Sequence, residues 1–457
     1  MTSKPRSKPE LLAPAGDFEK LQIAIAYGAD AVYLGGTSFG LRAKAKNFDT
    51  DELRAAISYA HERNVKVYVT VNIFARNSDI DDMAGYFTTL AELGADAFII
   101  SDPGVVSLAK KEAPQVEIHI STQANTTNYA SVRFWHEMGA KRVILARELS
   151  LKEIKGIRER VLEGSGGLDS RGLDSDGSGG IALEGFVHGA MCMSYSGRCM
   201  LSRYLSPDRD ANLGACAHPC RYNYRLYAEE VSRPGRFMPV VEDELGTDIF
   251  GAEDLCMVAH VPEMIDAGLT SFKIEGRMKT AFYVALATKA YRQAIDDFFE
   301  KDGESKGDTE STESTENTEN RYKKNIPKYL NMLEMASHRP FSTGFYFHEP
   351  GQTVAEFVDM AYTRSHDFVG IVRGYDEKEG WAVVEQRGVF EIGDTLTFIG
   401  LGAEGFSCEF SHTIEFMQTE DGKEITRAPH AQQRVMVKVG KPVEVFCVVC
   451  KANGQKG

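Results

Sequence analysis

Between residues 10 and 277 the chain alternates short apolar runs with longer segments of helical periodicity. In four places a helical segment ends at glycine and an apolar run follows: AIAYGADAVYLGG (24–36), LAELGADAFIIS (90–101), WHEMGAKRVILA (135–146) and MIDAGLTSFKIEG (264–276). Gly28, Gly94, Gly139 and Gly268 stand where a helix C-cap calls for a left-handed residue. The apolar runs are ELLAPAG, AVYLGG, KVYVTVN, AFIIS, EIHISTQ, RVILARE, LEGFVHGAM and SFKIEGR. Eight strands alternating with helices predict an α/β chain built on a (β/α)8 TIM-barrel-like domain, ahead of the alternative, a doubly wound sheet.

From about residue 340 the period changes to short alternating strands, DFVGIVRGYD, GWAVVEQRG, GDTLTFIG, EFSHTIEFM and RVMVKVGKPV, separated by Gly and Asp/Glu turns. This predicts a small C-terminal antiparallel β-barrel. The expected organisation is a barrel over 9–300, an acidic low-complexity linker over 301–334 and the small β-barrel over 335–450. Two inserts, EGSGGLDSRGLDSDGSGG (163–180) and GDTESTESTENTEN (307–320), have compositions expected of disordered loops.

Composition narrows the partners. A formal net charge of −14 argues against a protein that coats nucleic acid through a general positive field, while leaving room for a local basic groove. No run approaches the ~18 apolar residues of a membrane span, so a soluble, cytoplasmic protein without membrane contact is expected. The first 191 residues contain no cysteine, yet five of the eight cysteines fall between 192 and 256. In a large chain of this compartment, such clustering points to metal or redox chemistry rather than a disulfide framework.

The spacing is Cys192-x6-Cys199-x16-Cys216-x3-Cys220-x35-Cys256. All but Cys256 lie after the seventh predicted strand, at the end of the barrel where active sites assemble. Four thiolates from such a loop suit a [4Fe-4S] cluster; a structural zinc site usually shows two short knuckles, and only Cys216/Cys220 has that spacing. Burial without metal is the third reading. Cys447 and Cys450 sit in the alternating run VEVFCVVCK and are expected to be strand core.

Strand ends supply Asn72, Gln123, Arg147, Glu148, His188, Glu275 and Arg277. Of these His188, Glu275, Arg277 and Glu148 are the candidate catalytic groups, able together to bind an anion and move protons. Arg42, Lys44, Arg198 and Arg221 are candidate RNA- or anion-binding residues, with tyrosines such as Tyr222 and Tyr224 interleaved. GTSFG (36–40) fits Gly-x-Ser-x-Gly, but a nucleophile elbow needs a helix immediately after Ser38, and the next one is expected to start near Thr50. None of the three His-Glu pairs has a second histidine at zincin spacing.

The stretches ELLAPAGDFEKLQIAIAYGADAVYLGG, FVHGAMCMSYSGRCMLS, NLGACAHPCRYNY and DLCMVAHVPEMIDAGLTSFKIEGRMKT resemble the U32 family, historically labelled peptidases or collagenases. The chain length and FSTGFYFHEPGQ resemble its branch that forms 5-hydroxyuridine at the tRNA wobble position without oxygen, dependent on prephenate. The resemblance implies a tRNA-modifying enzyme with prephenate as co-substrate, an electron donor of unknown identity, and a [4Fe-4S] cluster. It places the cluster ligands on Cys192, Cys199, Cys216 and Cys256, with Cys220 as the alternate. A peptidase and a non-catalytic RNA- or partner-binding scaffold are the rival readings; a cysteine committed to a cluster is no nucleophile.

Overall fold

The computed structural model describes residues 7–40, 46–163, 180–191, 216, 226–229, 237–240, 253–300, 314–347, 362–400, 402 and 409–453. Its first seven strands are β1 (Glu10–Pro14), β2 (Ala31–Leu34), β3 (Lys66–Val71), β4 (Ala97–Ile100), β5 (Glu117–Ile120), β6 (Arg142–Ile144) and β7 (Ala182–Ala190). They lie parallel and in sequence order. A hairpin, β8 (Leu226–Glu229) with β9 (Phe237–Val240), and a short strand β10 (Asp254–Cys256) precede β11 (Ser271–Ile274). β11 pairs in parallel with both β7 and β1, and so closes an eight-stranded barrel. The eight expected strands are these eight.

Helices α1 (Phe18–Ala26), α2 (Thr50–His61), α3 (Asn77–Glu92), α4 (Pro103–Glu112), α5 (Tyr129–Glu137) and α6 (Leu151–Glu163) cover the outside. Gly28, Gly94, Gly139 and Gly268 have φ of 94°, 89°, 91° and 94°, as a left-handed C-cap requires. Asp49 caps α2 and shares a capping box with Glu52, so the cap lies one residue before Thr50. No helix among the described residues is long and apolar enough to cross a membrane.

The barrel interior is charged at its N-terminal end. Arg142 on β6 donates to Glu10 on β1 (2.5 Å) and to Glu184 on β7 (3.0 Å). Lys273 on β11 lies 3.1 Å from the other oxygen of Glu184, and Ser271 donates to Glu184 at 3.0 Å. Tyr68 on β3 donates to Glu10 (2.8 Å) and packs edge-on against the buried His119 of β5. Burial alone would raise the Glu184 carboxyl, but the adjacent Lys273 and Arg142 outweigh it and hold it at about 2.

Two regions depart from the expected organisation. Residues 301–334 are not linker throughout: Ser314–Met335 is a helix packed on the helix Ala281–Phe299. Tyr322, Tyr329, Met332 and Leu333 are buried there, so apolar residues spaced from Tyr322 onward outweigh the acidic composition before them. Phe341–Ser342, expected in the C-terminal domain, pairs with β10 and extends the barrel sheet.

The C-terminal unit begins in strand at His366–Asp376 and forms a seven-stranded antiparallel half-barrel around its own core of Val372, Val384, Leu396, Phe398, Val435 and Val437. It docks on the barrel's outer helices. The Tyr27 hydroxyl of α1 donates to the Ile399 carbonyl and accepts from Val448 N–H at 3.0 Å. Phe282 stacks on Phe368 at 5.2 Å, and Glu19 on α1 receives both Arg373 and Arg387.

Replacing Glu184 by Gln leaves two buried cations short of a carboxylate and is expected to lower stability by about 3–5 kcal/mol in urea unfolding. Glu10 and Glu184 are both depressed below their unfolded values, so their stabilisation is complete above the unfolded carboxylate range near ~4.3 and fades as pH falls toward the folded values. Stability of the wild type should therefore fall more steeply than that of Glu184→Gln below about pH 4.

Candidate active site at the barrel mouth

β7 has nine residues and its end builds the centre of the mouth. On one side it pairs with β11, and His188 is opposite Ile274 across a register shift. On the other side β10 runs antiparallel, setting Ala190 against Asp254 and His188 against Cys256. Gly189 between them has φ of 105°, and a Cβ there would lie 2.5 Å from the Glu275 carbonyl oxygen. Glycine is thus required by both conformation and space.

His188 is 2% exposed. Its ring stacks on Tyr283 and touches Tyr291 and Phe341, with centroids 5.5–5.6 Å apart. Burial, reinforced by Lys279 and His338, pushes its imidazole down to about 3. The expected acid–base histidine is therefore a neutral, enclosed ring at physiological pH.

Glu275 and Arg147 do meet. Arg147 donates to a Glu275 carboxylate oxygen at 3.1 Å and to the Ala190 carbonyl at 2.8 Å, with its guanidinium 3.7 Å over the Phe186 ring. The end of β6, the end of β7 and the loop after β11 are joined by this one side chain. Arg277 reaches the opposite side of the mouth, donating to Thr70 Oγ1 (3.0 Å) on β3 and to Asn47 Oδ1 (2.7 Å). Asn72 donates to Ser121 at 3.3 Å beside them.

Glu148 is half-buried, and burial raises its carboxyl above the usual range. A carboxyl raised in this way is biased towards holding a proton. Cys256 is 7% exposed, and burial pushes its thiol up to about 11; Cys216 is half-buried. A thiol of this kind gives a thiolate once a cation compensates its charge, as in metal ligation.

Of the sequence-derived candidates, His188, Glu275, Arg277, Glu148, Cys216 and Cys256 are described. Cys192, Cys199, Cys220, Arg42, Lys44, Arg198 and Arg221 lie outside the described residues. Ser38 is exposed, and Phe39 and Gly40 directly after it are not helical, so among the described residues no helix follows it in the manner of a nucleophile elbow. Sequence reasoning missed Asn47, Thr70 and Lys279 at the mouth. Lys279 had a readable signal, lying two residues past Arg277 in the loop after the last barrel strand; Asn47 and Thr70 are recognisable only as partners of Arg277.

A family model described as Peptidase family U32 matches residues 16–356, and another, Peptidase family U32 C-terminal domain, matches 364–449. The chain is 36% identical over 436 residues to tRNA hydroxylation protein P1 of Bacillus subtilis (strain 168), covering 95% of this chain and 93% of the relative. It is 33% identical over 485 residues to tRNA hydroxylation protein P of Escherichia coli (strain K12), covering 98% and 97%. It is also 34% identical over 295 residues to the 23S rRNA 5-hydroxycytidine C2501 synthase of Escherichia coli (strain K12), covering 65% of this chain and 40% of that protein.

The geometry predicts two titrations by NMR of labelled protein. The His188 ring nitrogens should hold the shifts of a neutral imidazole from about pH 8 to about pH 5, where a free histidine would protonate near ~6.5. The Glu148 carboxyl should titrate above the free-glutamate value of ~4.3, and Glu148→Gln should remove that signal.

Proposed function

The chain belongs to peptidase family U32, and on that basis we propose that it hydroxylates a tRNA uridine, giving 5-hydroxyuridine at the wobble position, with prephenate as co-substrate and a [4Fe-4S] cluster as cofactor. The observation that carries this reading is similarity along nearly the whole chain to two proteins named for tRNA hydroxylation. A relative named for making 5-hydroxycytidine extends the same chemistry to another pyrimidine.

Cys192, Cys199, Cys216 and Cys256 are the proposed ligands. The register of β10 favours Cys256 as a ligand, because it stands opposite His188, four residues before Cys192 in sequence. A bound cluster would supply electron transfer and activation of the oxygen donor. The remaining work falls to side chains of the mouth. Arg277, oriented by Thr70 and Asn47, and Arg147, oriented by Glu275 and Ala190, would bind the carboxylates of a dicarboxylate. Glu148, with its raised carboxyl, is the proposed proton carrier at the pyrimidine. His188 acts by position, packing the end of β7 against Tyr283 and Tyr291. Arg42, Lys44, Arg198 and Arg221 would contact RNA phosphates, a local positive surface on a chain of net charge −14.

Nucleosides of tRNA from a strain lacking the gene, analysed by mass spectrometry, should contain no 5-hydroxyuridine or nucleoside built on it. The wild-type gene should restore the modification; persistence of the nucleoside in the deletion strain would sink the reading. Protein prepared without oxygen should be brown with about four irons per chain. Cys216→Ser and Cys256→Ser should lose the iron and Cys220→Ser should keep it, whereas a colourless zinc protein would remove the cluster from the proposal.

A further inference from the structure

A single exposed aromatic ring is ordinary on a protein surface. Tyr362, 46% exposed, is distinguished by its support and its surroundings. The residue after it, Thr363, exchanges two backbone hydrogen bonds with His338: His338 N–H donates to Thr363 O at 3.0 Å, and Thr363 N–H donates to His338 O at 2.8 Å. Three residues beyond His338 the same segment joins the barrel sheet through Phe341. The backbone beside Tyr362 is therefore tied to the barrel sheet.

Two cations border the ring: Lys279 Nζ lies 5.0 Å and Arg339 Cζ 5.2 Å from its centroid. Arg339 is 1% exposed and so lies on the protein side of the ring, which itself stays half-exposed. Lys279 and the 47% exposed Met278 directly follow Arg277 in the loop leaving β11. The ring therefore stands on the rim of the mouth that holds Arg277 and Glu275. Lys279 also lies 5.1 Å from the Tyr283 ring, which stacks on His188.

A half-exposed ring with a lysine ammonium 5.0 Å from its centroid has the two elements that hold single-stranded nucleic acid: a stacking surface and a phosphate contact. A protein partner would favour a broader apolar patch, whereas this ring is bordered by the cations Lys279 and Arg339, with the Asp254 carboxylate 3.6 Å from Lys279. We infer that Tyr362 is the stacking shelf for an unpaired nucleobase flanking the nucleotide that enters the barrel, with Lys279 taking the adjoining phosphate. This inference rests on the RNA reading above and assigns a residue to substrate binding at the same mouth.

The test uses the full chain and a fluorescently labelled RNA hairpin with an unpaired loop, beside a fully paired RNA duplex. Tyr362→Ala should weaken hairpin binding about tenfold, with Tyr362→Phe within about twofold of wild type, because stacking needs the ring and not the hydroxyl. Thermal melting should be the same for all three proteins. Tyr362→Trp should show fluorescence quenching with the hairpin and not with the duplex. The shelf is overturned if Tyr362→Ala binds the hairpin as wild type does, if it weakens hairpin and duplex equally, or if the tryptophan is unquenched. A wild-type protein that binds neither RNA would overturn the RNA reading and the shelf together. Wild-type binding that is indifferent to Tyr362→Ala removes the shelf alone.

Discussion

Glu184 sits at the centre of the barrel's N-terminal half, with Arg142 at one carboxylate oxygen and Lys273 at the other. Glu10 shares Arg142, so β1, β6, β7 and β11 are joined across the interior by paired charges. Buried ions add little net stability when compared with apolar packing, but leaving one unpaired costs several kcal/mol. That penalty acts on register. Sliding β11 by one residue would turn Lys273 out of the barrel and leave Glu184 without it. The same register governs the mouth. Glu275 lies two residues beyond Lys273, and His188 lies four beyond Glu184 across the register shift between β11 and β7, so the strands that hold the charges also carry these two to the mouth.

Closure brings the ends of distant strands together, and single side chains then join them. Arg147 links the ends of β6 and β7 to the loop after β11, while Arg277 crosses to β3 and the loop before α2. Each is oriented by partners on or beside strands, the arrangement that preserves a site's geometry during reaction. The buried His188 belongs to the same scaffold: its neutral ring lets the end of β7 pack against aromatic side chains without burying a charge.

The helix Ala281–Phe299 binds the two halves of the molecule. It is buried on nearly every side because it lies among the barrel, the helix Ser314–Met335 and the C-terminal half-barrel. Its Phe282 stacks on Phe368, its Lys289 donates to the Gly400 carbonyl, and its Tyr283 and Tyr291 enclose His188. One helix thus forms the domain interface with one face and the back wall of the mouth with another. Tyr27, Glu19, Arg373 and Arg387 extend that interface beyond the helix.

The eight strands, the helices between them and the glycine caps were legible in the sequence, because period and cap chemistry are local properties of the chain. So was the location of Arg147, Glu148, His188, Glu275 and Arg277 at strand ends, once the barrel was inferred. The helix at Ser314–Met335 was masked by acidic, low-complexity composition, while the residues that anchor it, Tyr322 and Tyr329, gain their value only from the surface they bury against. The roles within the mouth were not legible. His188 is neutral because Tyr283, Tyr291 and Phe341 surround it from roughly a hundred residues or more away, and Glu148 is raised because folding removes water from it. The sequence by itself determined which elements form and which residues stand at their ends. Only the tertiary structure decided which of those residues are enclosed, paired or open, because exposure and protonation are set by neighbours that folding brings from far along the chain.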